Sequence, residues 1–341
     1  MTTEMSTSNW MRNLDHKEAV RSCLCMLPML GAYAVHRGDL GVPLGQAGFL
    51  MSALPLSRLR LYRFTNGVIF LIFGLGLYLI GSVVAFSYWP ALIMTFFVSL
   101  ALSFMVGWKM ASMLALTFFS VYCAGLNNSV PDVHKITNSY YAFSVAIVWA
   151  TVVSMSRWFP GHDFASKYKK PGILARVKMG LRMGIGTTIS LAIAEAFTFT
   201  KLGWAPSASA NVIRFSEDES VQRAKLRVIG SVIGALVAMV FFIVFSNPIV
   251  WVYAAFVLSI MNGAASRINK LGYFPFYTSI ILILYSIADP TKSVSTTVDR
   301  VMYNVIGVII SYLVVVYTFP RLFAWLERQE FAKLAHKIDN L

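Results

Sequence analysis

Acidic side chains are scarce in this sequence: 15 Asp and Glu stand against 29 Lys and Arg, and charged residues of both signs reach only 13% of the 341. A soluble domain carries roughly 25% charged residues, so a chain that is 57% hydrophobic and this poor in charge is not expected to close around one aqueous core. Cysteine is nearly absent, with Cys23 and Cys25 in one apolar segment and Cys123 in another. That spacing excludes a disulfide framework and a CxxC metal site and leaves apolar burial. Phosphate-loop, HExxH and GxSxG signatures are also missing, and the five histidines (His16, His36, His134, His162, His336) all fall in loops or tails. Neither an enzyme, a metal site nor a bound cofactor is expected. The first residues lack an apolar core, so a cleavable signal peptide is not expected either.

What is present is apolar length. A helix needs about 20 residues to cross a bilayer, and twelve segments are read as spans: 17–35, 41–54, 63–86, 88–106, 109–127, 138–158, 174–197, 202–214, 223–246, 248–266, 270–287 and 298–319. Placing both termini in the cytoplasm leaves only Arg37, Lys135, Lys201, Lys292 and Arg300 outside, with every other Lys and Arg inside. The net charge of +14 is thereby a matter of topology, and nucleic acid is not an expected partner.

The polar stretch Arg157–Gly172 divides the chain. The expected organisation is a cytoplasmic segment (1–16), a six-helix membrane repeat (17–158), a basic linker (159–173), a second six-helix repeat (174–319) and an amphipathic tail (320–341). The fold class is thus an all-α polytopic membrane protein of about twelve spans. A shift of about 161 residues lays Arg21 on Arg182, and Arg58, Arg60 and Arg63 answer to Arg223, Lys225 and Arg227 within three or four residues. An even number of spans per half makes the repeats parallel.

Two segments in corresponding places are short and broken by Pro and Gly: Gly41–Ala53, with Gln46, and Leu202–Arg214, with Trp204, Ser207, Ser209 and Asn211. Broken spans at matching positions point to a transporter's binding site, because polar backbone at membrane depth survives only beside a cavity or protein. Arg21 and Arg182 lie in the first turns of their spans; they either snorkel to the headgroups or face a shared cavity and recruit a carboxylate. Glu195 is a candidate proton relay, and Asn304 is the polar group one turn beyond Arg300. Gly230 and Gly234, like Gly180 and Gly184, form GxxxG pairs suited to close helix packing.

An arginine in a first helix (Arg182), a tryptophan opening a short second one (Trp204), then Arg227 followed by Gly230 and Gly234, and a closing helix with Arg300, Asn304 and Gly307, resemble the repeat of the fusaric acid resistance and aromatic acid exporter superfamily. The first half is similar only through Arg21, Arg63 and Gly67. The resemblance implies export of small organic, especially aromatic, carboxylates across a bacterial inner membrane, beside a periplasmic membrane-fusion adaptor, with a homo-oligomer as a further expected partner. On this reading Arg21, Arg182, Gln46, Trp204, Ser207, Asn211 and Asn304 contact the anion, driven by the membrane potential or the proton motive force. Two other readings fit the same residues: an anion channel, and a non-transporting membrane subunit of an efflux or secretion complex.

Overall fold

The computed structural model describes residues 15–35, 37–54, 56–105, 111–128, 132–159, 161, 172–197, 201–265, 270–318 and 320. Among them the chain is helical, with no strand. The helices are α1 His16–Cys25, α2 Leu27–Ala34, α3 Gly38–Ser52, α4 Arg60–Val84, α5 Tyr88–Met105, α6 Ala111–Leu126, α7 Val133–Ser154, α8 Ile173–Ala196, α9 Trp204–Val212, α10 Glu217–Val244, α11 Pro248–Ala265, α12 Lys270–Ala288 and α13 Pro290–Thr318. All twelve expected segments are helical. By length and apolarity, α4, α5, α7, α10 and α13 are the five described helices able to cross a membrane unaided. The expected tail helix and most of the basic linker lie outside the described residues.

One expected span is two helices. Pro28 has no N–H, so the Leu24 carbonyl four residues before it loses its helical donor; the chain breaks at Met26, and the Trp149 indole N–H fills the gap at 2.8 Å.

The amphipathicity of the long helices is inverted relative to a soluble protein. On α5, Thr95, Ser99 and Ser103 are fully buried while Ile93, Phe97 and Phe104 are exposed. On α10, Ser231, Ala235 and Ala238 face inward, and Ile229, Val232, Ile233, Leu236, Val240 and Ile243 face out. A row of large apolar side chains of this length would be an aggregation site in water and is the ordinary surface of a helix in lipid.

The chain divides into two compact units. The first comprises Met1–Leu71, Thr137–His162 and Ile229–Val301. In it α1 packs on α11, where a Cβ on Gly263 would lie 2.7 Å from Ser22 Oγ and 2.9 Å from Ala19 Cα. Helix α3 packs on α2 and α12, with the Phe49 and Tyr277 rings 5.3 Å apart. Gly234 of α10 sits under α12: a Cβ there would approach Pro275 O to 2.5 Å and Ser279 N to 3.2 Å.

The second unit comprises Ile72–Ile136, Asp163–Val228 and Met302–Leu341. In it α8 packs on α5, with Gly180 against Ser103 and Leu100, and Ser99 Oγ 2.8 Å from Thr187 Oγ1. Gly81 of α4 sits under α6, where a Cβ would meet Tyr122 O and approach Leu126 N to 3.1 Å. The short helix α9 is walled in by α6, α8 and the end of α13, and eight of its nine residues are buried. Each unit therefore joins the first helices of one half of the sequence to the fourth and fifth of the other.

Candidate functional site

The arginines come first, because the sequence reading gave them the anion. Arg21 is fully buried. Its Nε donates to Glu18 Oε1 at 2.9 Å, and its Nη atoms donate to the carbonyls of Met51, Ser52 and Leu54 where α3 ends. These are the carbonyls a helix C-terminus leaves without intrahelical partners. Its donors are committed to Glu18 and to the end of α3, which makes it a strut between α1 and α3.

Arg182 makes the corresponding contact in the second unit. Its Nη1 donates to Phe215 O at 3.1 Å, and Phe215 follows Leu54 by the same offset of about 161 that relates the two arginines. The offset recurs in the packing. A Cβ on Gly48 would collide with the Cys25 carbonyl, and one on Gly186 would lie 3.1 Å from Ser209 Oγ, so each pair keeps one glycine, on opposite helices. Arg182 differs in being only half-buried, with its bond to Phe215 at the surface.

Polar side chains gather instead around α9. Trp204 is 3% exposed and meets Tyr303 edge to face, the rings 5.5 Å apart. Its ring is part of the packing. Tyr303 Oη accepts the Lys201 backbone N–H at 3.2 Å, and Asn127 Oδ1 accepts that of Gly203 at 2.9 Å, which anchors the entry to α9. Within α9, Asn211 Nδ2 donates to Ser207 O at 2.8 Å, and Ser209 Oγ accepts from Ser311 Oγ at 2.7 Å. Gly307 lies against Ala205 O, with room for no side chain.

One residue beyond Tyr303, Asn304 is fully buried, and its Oδ1 accepts from Arg227 Nε at 3.2 Å. Arg227 is 1% exposed and lies near the middle of the 28-residue α10. A guanidinium held to a neutral amide inside an apolar helix bundle is the feature of this unit that packing alone does not call for. Among the described residues no cluster of His, Cys, Asp and Glu could hold a metal ion.

Residues 188–314 match the family model described as fusaric acid resistance protein-like. That stretch is fusaric acid resistance protein-like. No curated protein and no solved structure matches the chain. The fusaric acid resistance protein-like stretch contains Trp204, Arg227, Asn304 and all of α9, the elements that the fold brings together. The family is one of membrane transporters related to efflux, and with its apolar helices the chain is a multi-pass membrane protein.

The remaining expected residues are dispersed. Gln46 is half-buried on α3, and Arg300 is 2% exposed in the first unit. Gly230 is buried, and Gly234 is a packing contact with α12. Glu195 stands half-buried in the last turn of α8. Sequence reasoning did not single out Tyr303, Ser311 or Asn127. Tyr303, Gly307 and Ser311 recur every four residues along one face of α13, with Asn304 three residues before Gly307, which is the one signal that points to the first and last of them.

Proposed function

We propose that the protein exports small organic carboxylates, aromatic ones among them, across a bacterial inner membrane, and that Arg227 with Asn304 beside α9 forms the anion-binding centre. The observation that carries this is the burial of the Arg227 guanidinium in mid-helix, held to the Asn304 amide. A charge taken out of water is costly without compensation, and ionisable residues enclosed within membrane-spanning bundles mark solute pathways by default. A bond from Nε to Asn304 Oδ1 fixes the guanidinium plane, and guanidinium geometry matches a carboxylate in a bidentate pair. The match of residues 188–314 to the fusaric acid resistance protein-like model supports the class, since fusaric acid is itself a small organic acid.

On this reading both termini are cytoplasmic and the twelve segments are two parallel six-helix repeats. Support comes from the recurring contacts: Arg21 with Leu54 against Arg182 with Phe215, and Gly48 on Cys25 against Ser209 on Gly186. An inside-negative potential favours outward movement of an anion by about 2.3 kcal/mol per charge per 100 mV. Proton coupling is then optional, and Glu195 is its relay where it occurs. Ser207 and Asn211 contribute polar atoms along α9, and Arg182 holds the chain that follows it.

The test is release of preloaded aromatic and aliphatic carboxylates from cells with and without the protein, each with and without a protonophore. Faster release of at least one compound, lost in Arg227→Ala and retained in a surface control such as Lys225→Gln, is the expected result. Unchanged release in Arg227→Ala would remove the centre proposed here, and single-channel currents far above carrier turnover would replace the carrier by a channel.

A further inference from the structure

We infer that the corner of the first unit where the start of α4 meets the end of α7 binds the phosphate headgroup of an anionic phospholipid. The inference is independent of the transport reading. It begins with Arg63, which is 7% exposed. Its Nε donates to Ser57 O at 2.6 Å, Nη1 to Ser154 O at 2.9 Å and Ser156 O at 3.1 Å, and Nη2 to Phe159 O at 3.0 Å. One side chain thus welds the turn before α4 to the segment after α7. Gly161 closes the joint: a Cβ there would collide with the Ser57 carbonyl and approach Arg58 Cα to 2.5 Å.

Among the described residues the weld draws cations together and brings no acid of its own. Arg58 and Arg60 flank the turn on one side and Arg157 lies on the other, all exposed. Lys17 joins them, its Nζ 5.9 Å from the Trp158 ring centroid. The sequence has no Asp or Glu between Asp39 and Asp132, nor from Val133 to His162, and Glu18 is paired with Arg21. Arg63 itself bonds carbonyls, which leaves its own positive charge uncancelled. Like charges gathered at one corner repel one another and favour an anion that comes to them.

The neighbouring apolar side chains decide between a lipid and a soluble phosphate. Leu59, Leu61, Phe64 and Trp158 are each more than half exposed and are interleaved in sequence with the arginines. A phosphate bearing acyl chains satisfies both sets, and basic residues clustered at the end of a span are the usual receptors for anionic headgroups. Free phosphate satisfies only the charges.

The experiment uses the purified full chain in detergent, with phosphatidylglycerol, phosphatidylcholine or inorganic phosphate added. Bound lipid is read by native mass spectrometry and stability by the thermal midpoint. Phosphatidylglycerol is expected to be retained and to raise the midpoint, while phosphatidylcholine and phosphate do neither. The exposed triple variant Arg58→Gln, Arg60→Gln, Arg157→Gln is expected to weaken retention by about fivefold per arginine. A control triple of exposed lysines elsewhere, Lys135→Gln, Lys225→Gln, Lys292→Gln, is expected to retain it. Equal loss in the control, equal retention of phosphatidylcholine, or displacement of the lipid by inorganic phosphate would each overturn the inference.

Discussion

Arg63 of the first unit and Arg227 of the second each precede a glycine on the third long helix of their half, both nearly out of solvent, and their partners differ. Arg63 meets four carbonyls at the ends of other elements, groups that need donors whatever the protein does. Arg227 meets the side chain of Asn304, which no helix end requires. The same residue type closes carbonyls in one place and meets an amide side chain in the other, and the partners differ where burial does not.

The sharpest way to break this contrast is to remove each arginine. Arg63→Ala takes charge-assisted bonds from four carbonyls, with an expected loss of about 4 kcal/mol in unfolding stability in detergent. Arg227→Ala is expected to abolish carboxylate release at wild-type abundance, and Arg227→Lys, which keeps the charge but not the fork, to lower release by about tenfold. If Arg227→Ala unfolds the protein as readily as Arg63→Ala, the two arginines are both staples and the contrast collapses.

Arg21 and Arg182 offer a milder version. Arg21→Ala orphans Glu18 and three carbonyls in a buried corner, for an expected cost of about 3 kcal/mol. Arg182→Ala breaks a surface-level bond to Phe215 and is expected to cost about 1 kcal/mol. Thermal midpoints of the two variants, measured side by side, check the ratio; equal losses would mean that the two corners carry equal load.

Much of this was legible in the sequence, for reasons that can be named. Hydrophobic length located the helices within a few residues, since it depends only on local composition. The offset joining Arg21 to Arg182 was visible because both halves keep an arginine at the same depth, and the bonds to Leu54 and Phe215 show what the position is for. What the sequence concealed was partnership. Nothing local says that Arg21 will meet the end of α3, or that α1 packs on α11 while α8 packs on α5. A charge in an apolar segment reads the same whether carbonyls, an amide or a solute awaits it. Trp204 is a further case: nothing local says that Tyr303, 99 residues later, will pack on its ring.

Glycines test how tightly α9 is held relative to the rest of its unit. Gly307→Ala pushes a methyl group into Ala205 O and Ala208 Cβ, and overpacking of this kind costs about 1–3 kcal/mol. Gly76→Ala, in the same unit with nothing within 4 Å, is expected to be neutral or slightly stabilising. Unfolding midpoints compare the two, and release by Gly307→Ala reports whether displacing α9 reaches the centre at Arg227. A harmless Gly307→Ala would mean that α9 can yield, against the enclosure described for it.

The smallest expected effect lies in the first unit, where Trp149 replaces the donor that Pro28 lacks. Trp149→Phe keeps the ring and removes the N–H, so the Leu24 carbonyl loses its 2.8 Å partner at an expected cost of about 1 kcal/mol. Pro28→Ala returns a backbone N–H to that carbonyl and lets α1 continue into α2. In the Pro28→Ala background Trp149→Phe should then cost almost nothing, and the double-mutant cycle isolates the coupling between two residues 121 positions apart. Additive losses would show that the indole bond does not compensate the proline. The break at Met26 would then need another cause, and the second half of the sequence, whose first helix α8 runs unbroken and contains no proline, would cease to be its natural control.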